Sequence, residues 1–349
     1  MAKPANLMTS EILHIPATVQ RLIDQQGERI AELAMELKDA ARKGVTFAAR
    51  GTSDNACLYG KYLFEILLGY PVHLAAPSTV TLYRRPMDFA GKLVIGVSQS
   101  GESTDVCEYM EAAAKAGART IGITNNPKSR LAKSSEFHIP LLAGPEKAVA
   151  ATKTYVGELL VLRMLVTCMT AKKSLHDALP LLPEAIEAAM STEDRIKEIV
   201  PRFRYMHAAV VLGRGYNYAT AQEFALKLME TSHVPVHPFS FADFLHGPVS
   251  VMHQGFPSFV FLSKGPTANG VKELMTDVHG RGGELVVFSN TKIKENATLW
   301  PVYVDAPLNE VDSPLVNIIP AYLFAKQYSL LCGFDPDNPK GLTKVTHTR

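Results

Sequence analysis

Along this chain, short runs of consecutive apolar residues alternate with longer stretches in which apolar positions recur every three or four residues. "VTFAARG" (45–51), "PVHLAAP" (71–77), "KLVIGVSQSG" (92–101), "ARTIGITNN" (118–126) and "SEFHIPLLAG" (135–144) are of the first kind and predict strands. Ser10 to Lys43 is of the second kind: Ile30, Leu33, Leu37 and Ala41 share one helical face, and Gly44 is a stop signal. "DNACLYGKYLFEILLG" and "STDVCEYMEAAAKAG" also read as helices. Strands alternating with helices of this length predict an α/β fold, a mainly parallel sheet with helical crossovers.

The same order restarts in the second half. "AARGTSDNACLYGKYLFE" (48–65) parallels "LGRGYNYATAQEFALKLM" (212–229), which sets Arg50 and Gly51 against Arg214 and Gly215, 164 positions later. At that offset Gly101 meets Gly265 and Asn126 meets Asn290. A duplicated unit explains a constant offset better than two unrelated units do. The expected division is an N-terminal helical segment (1–44), a first unit (45–180), a second unit (195–334) and a C-terminal tail (335–349). The halves differ after one strand, where the first has "SQSGES" and the second "LSKGPT". A hydroxyl cluster therefore survives on one side only.

Composition narrows the class. A chain of 349 residues, 47% of them hydrophobic, has ample material for two cores. With 36 basic against 34 acidic residues and no long charge run, nucleic acid is not an expected partner. Cys57, Cys107, Cys168 and Cys332 are scattered without metal-ligand spacing, so neither a disulfide framework nor a metal site is expected, and a reducing cytoplasm fits. The N-terminus lacks an apolar core of signal-peptide length, and "GELLVLRMLVTCM" is interrupted by Arg163, so no membrane partner is expected either.

In an open α/β sheet, ligands bind beyond the carboxyl ends of the strands, at helix N-termini that favour anions. Ser98, Gln99, Ser100 and Ser103 offer three hydroxyls and an amide there, and Gly101 allows the turn. Thr52, Ser53 and Asn55 have the same character at the end of an earlier strand. The competing reading of such a junction is a simple helix N-cap. Neither GxxxxGK[ST] nor GxGxxG is present, which points away from nucleotides and toward the phosphate of a small molecule.

The motifs "ARGTSDNA", "VIGVSQSGESTD", "TIGITNNPKSRLA", "GPEKAVAATKTY", "GRGYNYATAQEFALKLME" and "FLHGPVSV" together resemble the sugar isomerase (SIS) family. The tandem arrangement is similar to the isomerase half of glutamine–fructose-6-phosphate aminotransferase and to the SIS-type glucosamine-6-phosphate deaminases. The resemblance implies two tandem SIS domains, each a flavodoxin-like three-layer sandwich, binding a small-molecule phosphosugar without cofactor or metal. It also implies a homodimer with shared active sites.

Spacing alone allows Glu223 and Lys227 to be a surface ion pair, with Glu230 solvated near the helix end. The resemblance implies instead that Glu230 is the base moving a proton between C1 and C2 of the sugar, with Lys227 beside it and Glu223 contacting substrate. His246, before the turn-forming Gly247-Pro248, matches the ring-opening histidine. "NPKGLTKVT" is similar to a segment closing over the sugar, with Lys344 near the open-chain carbonyl, and Ala150 falls in a substrate-binding motif. Asp243 and Ser103 depart from the synthases, where a longer carboxylate and a threonine are usual. No glutaminase segment with a nucleophilic cysteine precedes the first unit, so the expectation is a deaminase/isomerase converting glucosamine 6-phosphate into fructose 6-phosphate and ammonia. An aldose–ketose isomerase or a deglycase would use the same proton shuttle, and a non-turnover phosphosugar sensor is the reading from another class.

Overall fold

A computed structural model describes residues 6–344; residues 1–5 and 345–349, the outer ends of the expected helical segment and tail, lie outside the described residues. The chain divides into two compact units. Among the described residues, the first-half unit gathers 17–146, 153–181 and 343–344; the second-half unit gathers 6–16, 147–152 and 182–342.

The first-half unit is built on β1 (Val45–Ala48), β2 (Val72–Leu74), β3 (Leu93–Val97), β4 (Arg119–Thr124) and β5 (Phe137–Pro140), all parallel, in the order β2-β1-β3-β4-β5. The second-half unit carries β6 (Ala209–Gly213), β7 (Val236–Ser240), β8 (Pro257–Leu262), β9 (Glu284–Ser289) and β10 (Leu299–Tyr303), again parallel, in the order β7-β6-β8-β9-β10. Each sheet thus runs second, first, third, fourth, fifth, and its direction of winding reverses between the first and third strands. Such a switch point is where α/β sheets open a crevice. The loops it exposes are the Gly51 turn and 98–103 in the first half, and the Gly215 turn and 263–267 in the second.

The apolar runs form strands because helices cover both faces of each sheet. All five residues of β3 and of β6 are buried. Helix Thr104–Lys115 turns Val106, Cys107, Met110 and Ala113, spaced three or four apart, onto the first sheet. In the second unit Phe224 sits edge-on to Phe259, with ring centroids 5.1 Å apart, and also contacts Phe261, Phe288 and Phe324. That aromatic cluster seats helix Asn217–Ser232 on its sheet.

Two details differ from the sequence expectation. The first long helix is two, Leu7–Leu13 and Ile15–Lys43, starting three residues early where Asn6 caps Thr9 N. The break falls at His14, because Pro16 has no N–H to continue the ladder. The repeat offset is 164 through the third strand and 165 at the fourth, since Leu93 of β3 pairs with Arg119 whereas Pro257 of β8, 164 positions after Leu93, pairs with Glu284. The counterpart of Asn290 is therefore Asn125 and not Asn126. Their amides brace different loops: Asn125 Oδ1 accepts from Ala143 N at 3.0 Å, in the loop after β5, and Asn290 Oδ1 accepts from Lys264 N at 3.2 Å, in the loop after β8. No helix among the described residues is long and apolar enough to cross a membrane.

Candidate active site

At the end of β3 the serine loop is organised by its own hydroxyls. Ser98 Oγ accepts from Gly101 N at 3.1 Å and Ser100 Oγ from Glu102 N at 3.3 Å. Gly101 has φ 69°, and a Cβ there would lie 2.2 Å from Ser129 Oγ, so the tight turn requires glycine. Ser103 occupies the N-cap of helix 104–115, yet its side chain makes no capping bond, so N-capping does not explain the cluster. Gln99 and Ser100 are half-buried and Ser98 is buried.

The neighbouring turn after β1 contributes Gly51, with φ 55°, and Thr52 at the start of helix Thr52–Leu63. Ser53 is turned inward, its Oγ donating to Glu158 Oε1 at 2.8 Å, and Asn55 is half-buried. Arg50 Nε donates to the buried carboxylate of Asp105 at 2.7 Å, which fixes a cation beside these two helix N-termini. Burial raises the pKa of Asp54, with Arg50 opposing the rise.

In the second-half unit, helix 217–232 does something its sequence spacing leaves open. Glu223 and Lys227 are both fully buried, with Lys227 Nζ 3.4 Å from Glu223 Oε1, so they are no surface pair. Lys227 also donates to Glu230 Oε2, whose side chain keeps 23% of its exposure. Tyr322, from helix Ser313–Leu331, donates its hydroxyl to Glu223 Oε1 at 3.3 Å. A buried ammonium is costly to hold unless carboxylates compensate it. Here Glu223, sealed in the core, and Glu230, which reaches solvent, both lie against it.

His246 is exposed at the C-cap of helix Phe241–Leu245, just before Gly247 at φ 129°. Among the described residues it makes no ion pair with Glu230. Asp243 is likewise exposed. Ala150 is buried. Lys344, half-buried, donates to Glu146 Oε2 at 3.1 Å. Glu146 is itself fixed by Thr154, whose N and Oγ1 donate at 3.1 and 2.7 Å. Glu146 and Tyr322 were not singled out from the sequence: one stands in the quoted "GPEKAVAATKTY" motif, the other in the mainly apolar helix Ser313–Leu331. Among the described residues no group of His, Cys, Asp or Glu is gathered as a metal site.

The SIS domain matches this sequence twice, over residues 40–168 and 203–327. The chain belongs to the SIS domain family. It is 33% identical over 342 residues to the glutamine–fructose-6-phosphate aminotransferase of Methanothermobacter thermautotrophicus, aligning 97% of this chain with 57% of that protein. It thus spans little more than half the length of such relatives. Among solved structures, a provisionally named phosphosugar isomerase from Silicibacter pomeroyi is similar at a TM-score of 0.87 and 32% identity, covering 95% of this chain and 100% of that one. The glucosamine-6-phosphate deaminase of Thermotoga maritima shares the fold at a TM-score of 0.76 and 21% identity, with 98% and 100% covered. The two matched stretches each contain one of the parallel sheets.

Proposed function

We propose that this SIS chain is a phosphosugar deaminase/isomerase acting on glucosamine 6-phosphate. The observation that carries the reading is the buried Glu223–Lys227–Glu230 cluster, in which a single partly exposed carboxylate is poised beside a sealed ammonium. The serine loop of the first half is assigned to the sugar phosphate, supplying hydroxyl and backbone donors in place of a metal or lysine. The names of the relatives support a phosphosugar as the substrate class.

In this reading His246 transfers the proton that opens the sugar ring. Glu230 removes the proton from C2 of the open chain, leaving an enolamine, and returns a proton at C1. The product is an imine at C2, which takes up water and releases ammonia and fructose 6-phosphate. Lys227 steadies the negative charge that develops on oxygen, and Lys344 lies against the open chain. Glu223, sealed in the core, holds Lys227 in place and does not itself meet the substrate, and Ala150 is likewise buried. A homodimer in the cytoplasm completes the proposal, and a monomeric mass by light scattering would remove the dimer from it.

An aldose–ketose phosphosugar isomerase is the second reading, favoured by the name of the 32%-identical Silicibacter pomeroyi protein. The same proton shuttle serves both. Purified protein incubated with glucosamine 6-phosphate decides between them: equal release of ammonia and fructose 6-phosphate supports the deaminase. No ammonia, with interconversion of unaminated hexose phosphates, moves the assignment to the isomerase.

A further inference from the structure

The two halves place glycines at the same two loop positions and fill the space beside them differently. Gly51 and Gly101 have φ values of 55° and 69°, and 164 positions later Gly215 and Gly265 have 58° and 156°. Beside Gly51, a Cβ would meet nothing within 4 Å; beside Gly215 it would meet Thr267 Cγ2 at 3.2 Å and Glu310 Oε1 at 3.7 Å. A Cβ on Gly265 would lie 2.4 Å from Glu310 Oε2, whereas the nearest atoms at Gly101 belong to Ser129 and Thr124. Space that is open at one turn of the first half is occupied by a carboxylate in the second.

Glu310 reaches this position from the loop between β10 and helix 313–331, and it is only 7% exposed. Its Oε1 accepts from Thr267 Oγ1, and the Thr267 backbone also hydrogen-bonds to it. Thr267 is the counterpart of Ser103, and like Ser103 it sits at the N-cap of the next helix, here Ala268–Gly280. An in-chain anion therefore rests where hydroxyl, amide and helix N-terminus converge. Burial raises the Glu310 pKa, and the two Thr267 bonds oppose that rise by favouring the charged form.

We propose that the second half retains an oxyanion cradle and that Glu310 is its built-in occupant, so that this half takes no phosphate of its own. Removing the carboxylate should open a site for a small oxyanion such as phosphate, sulfate or acetate. The inference does not depend on what the first half binds, because the readout is the difference from wild type.

Thermal unfolding is followed in inorganic phosphate and in chloride at matched ionic strength for wild type, Glu310→Ala, Glu310→Gln and the Glu310→Ala/Thr267→Val pair. Glu310→Ala is expected to gain a saturable, phosphate-dependent rise in Tm beyond that of wild type, on the order of 3–6 °C at saturation. Glu310→Gln, whose amide still fills the cradle, is expected to gain none, and loss of the Thr267 hydroxyl should weaken the gain several-fold. If Glu310→Ala does not fold in chloride, refolding in phosphate, sulfate or acetate supports the proposal. A phosphate response parallel to that of wild type, or a variant that none of these anions refolds, overturns it.

Discussion

Lys227 Nζ lies 3.4 Å from Glu223 Oε1, one helical turn away, and neither side chain reaches solvent. At an exposed helix surface such a pair contributes a few tenths of a kcal/mol. Inside the protein the consequence of breaking it is of another size, because the remaining charge has no water to turn to.

Lys227→Met should therefore destabilise the protein by about 3–5 kcal/mol. Adding Glu223→Gln to it should recover part of the loss, since the second change removes the buried negative charge whose ammonium the first took away. Urea denaturation of the two single variants and the double variant measures this. Simple addition of the two losses would contradict the account of the cluster.

Ser98→Ala removes the acceptor that holds Gly101 N. The proposed phosphate loop should loosen, raising KM for the phosphosugar by roughly 5- to 30-fold, as expected for about 1–2 kcal/mol of lost hydrogen bonding. A variant that kept its KM while losing only kcat would show that the loop does not hold the phosphate.

Gly213 ends β6 against the helix that follows. A Cβ on it would lie 2.3 Å from Asn217 O and 2.9 Å from Tyr218 Cα, both backbone atoms that cannot swing aside. Gly213→Ala should cost about 2–4 kcal/mol. The first half already carries an alanine, Ala49, at the equivalent position. Denaturation midpoints of Gly213→Ala and of Ala49→Gly would show whether the two turns differ in this way.

Burial lowers the pKa of His138, whose Nε2 contacts Thr124 Oγ1 at 2.9 Å. A histidine that binds its proton less readily when folded makes stability fall as pH drops below its ordinary value of 6.5, because the unfolded chain then takes up the proton first. Unfolding free energies between pH 7 and pH 5 should show that decline, and His138→Gln should flatten it. An unchanged slope in the variant would assign the pH dependence elsewhere.

The fold was legible because its strands are short, continuous apolar runs such as "LVIGV", which only a sheet covered on both faces would bury. The serine loop was legible because polar residues cluster where that run stops. The state of Lys227 was not, since spacing three and four residues apart looks the same on an exposed face as on a buried one. Glu310, Glu146 and Tyr322 act on residues distant in the chain, and one sequence carries no signal of such pairing. The 164-residue offset failed at Asn126 because one extra residue enters between β8 and β9, which local similarity could not show.

The central claim is that Glu230 moves a proton between C2 and C1. Glucosamine 6-phosphate turned over in deuterium oxide, with the product examined by proton NMR, tests it directly. The account predicts deuterium at C1 of fructose 6-phosphate for the wild type, and loss of both incorporation and product for Glu230→Gln, with the variant still folded and still binding the phosphosugar. Turnover and deuterium incorporation that persist in Glu230→Gln would contradict it.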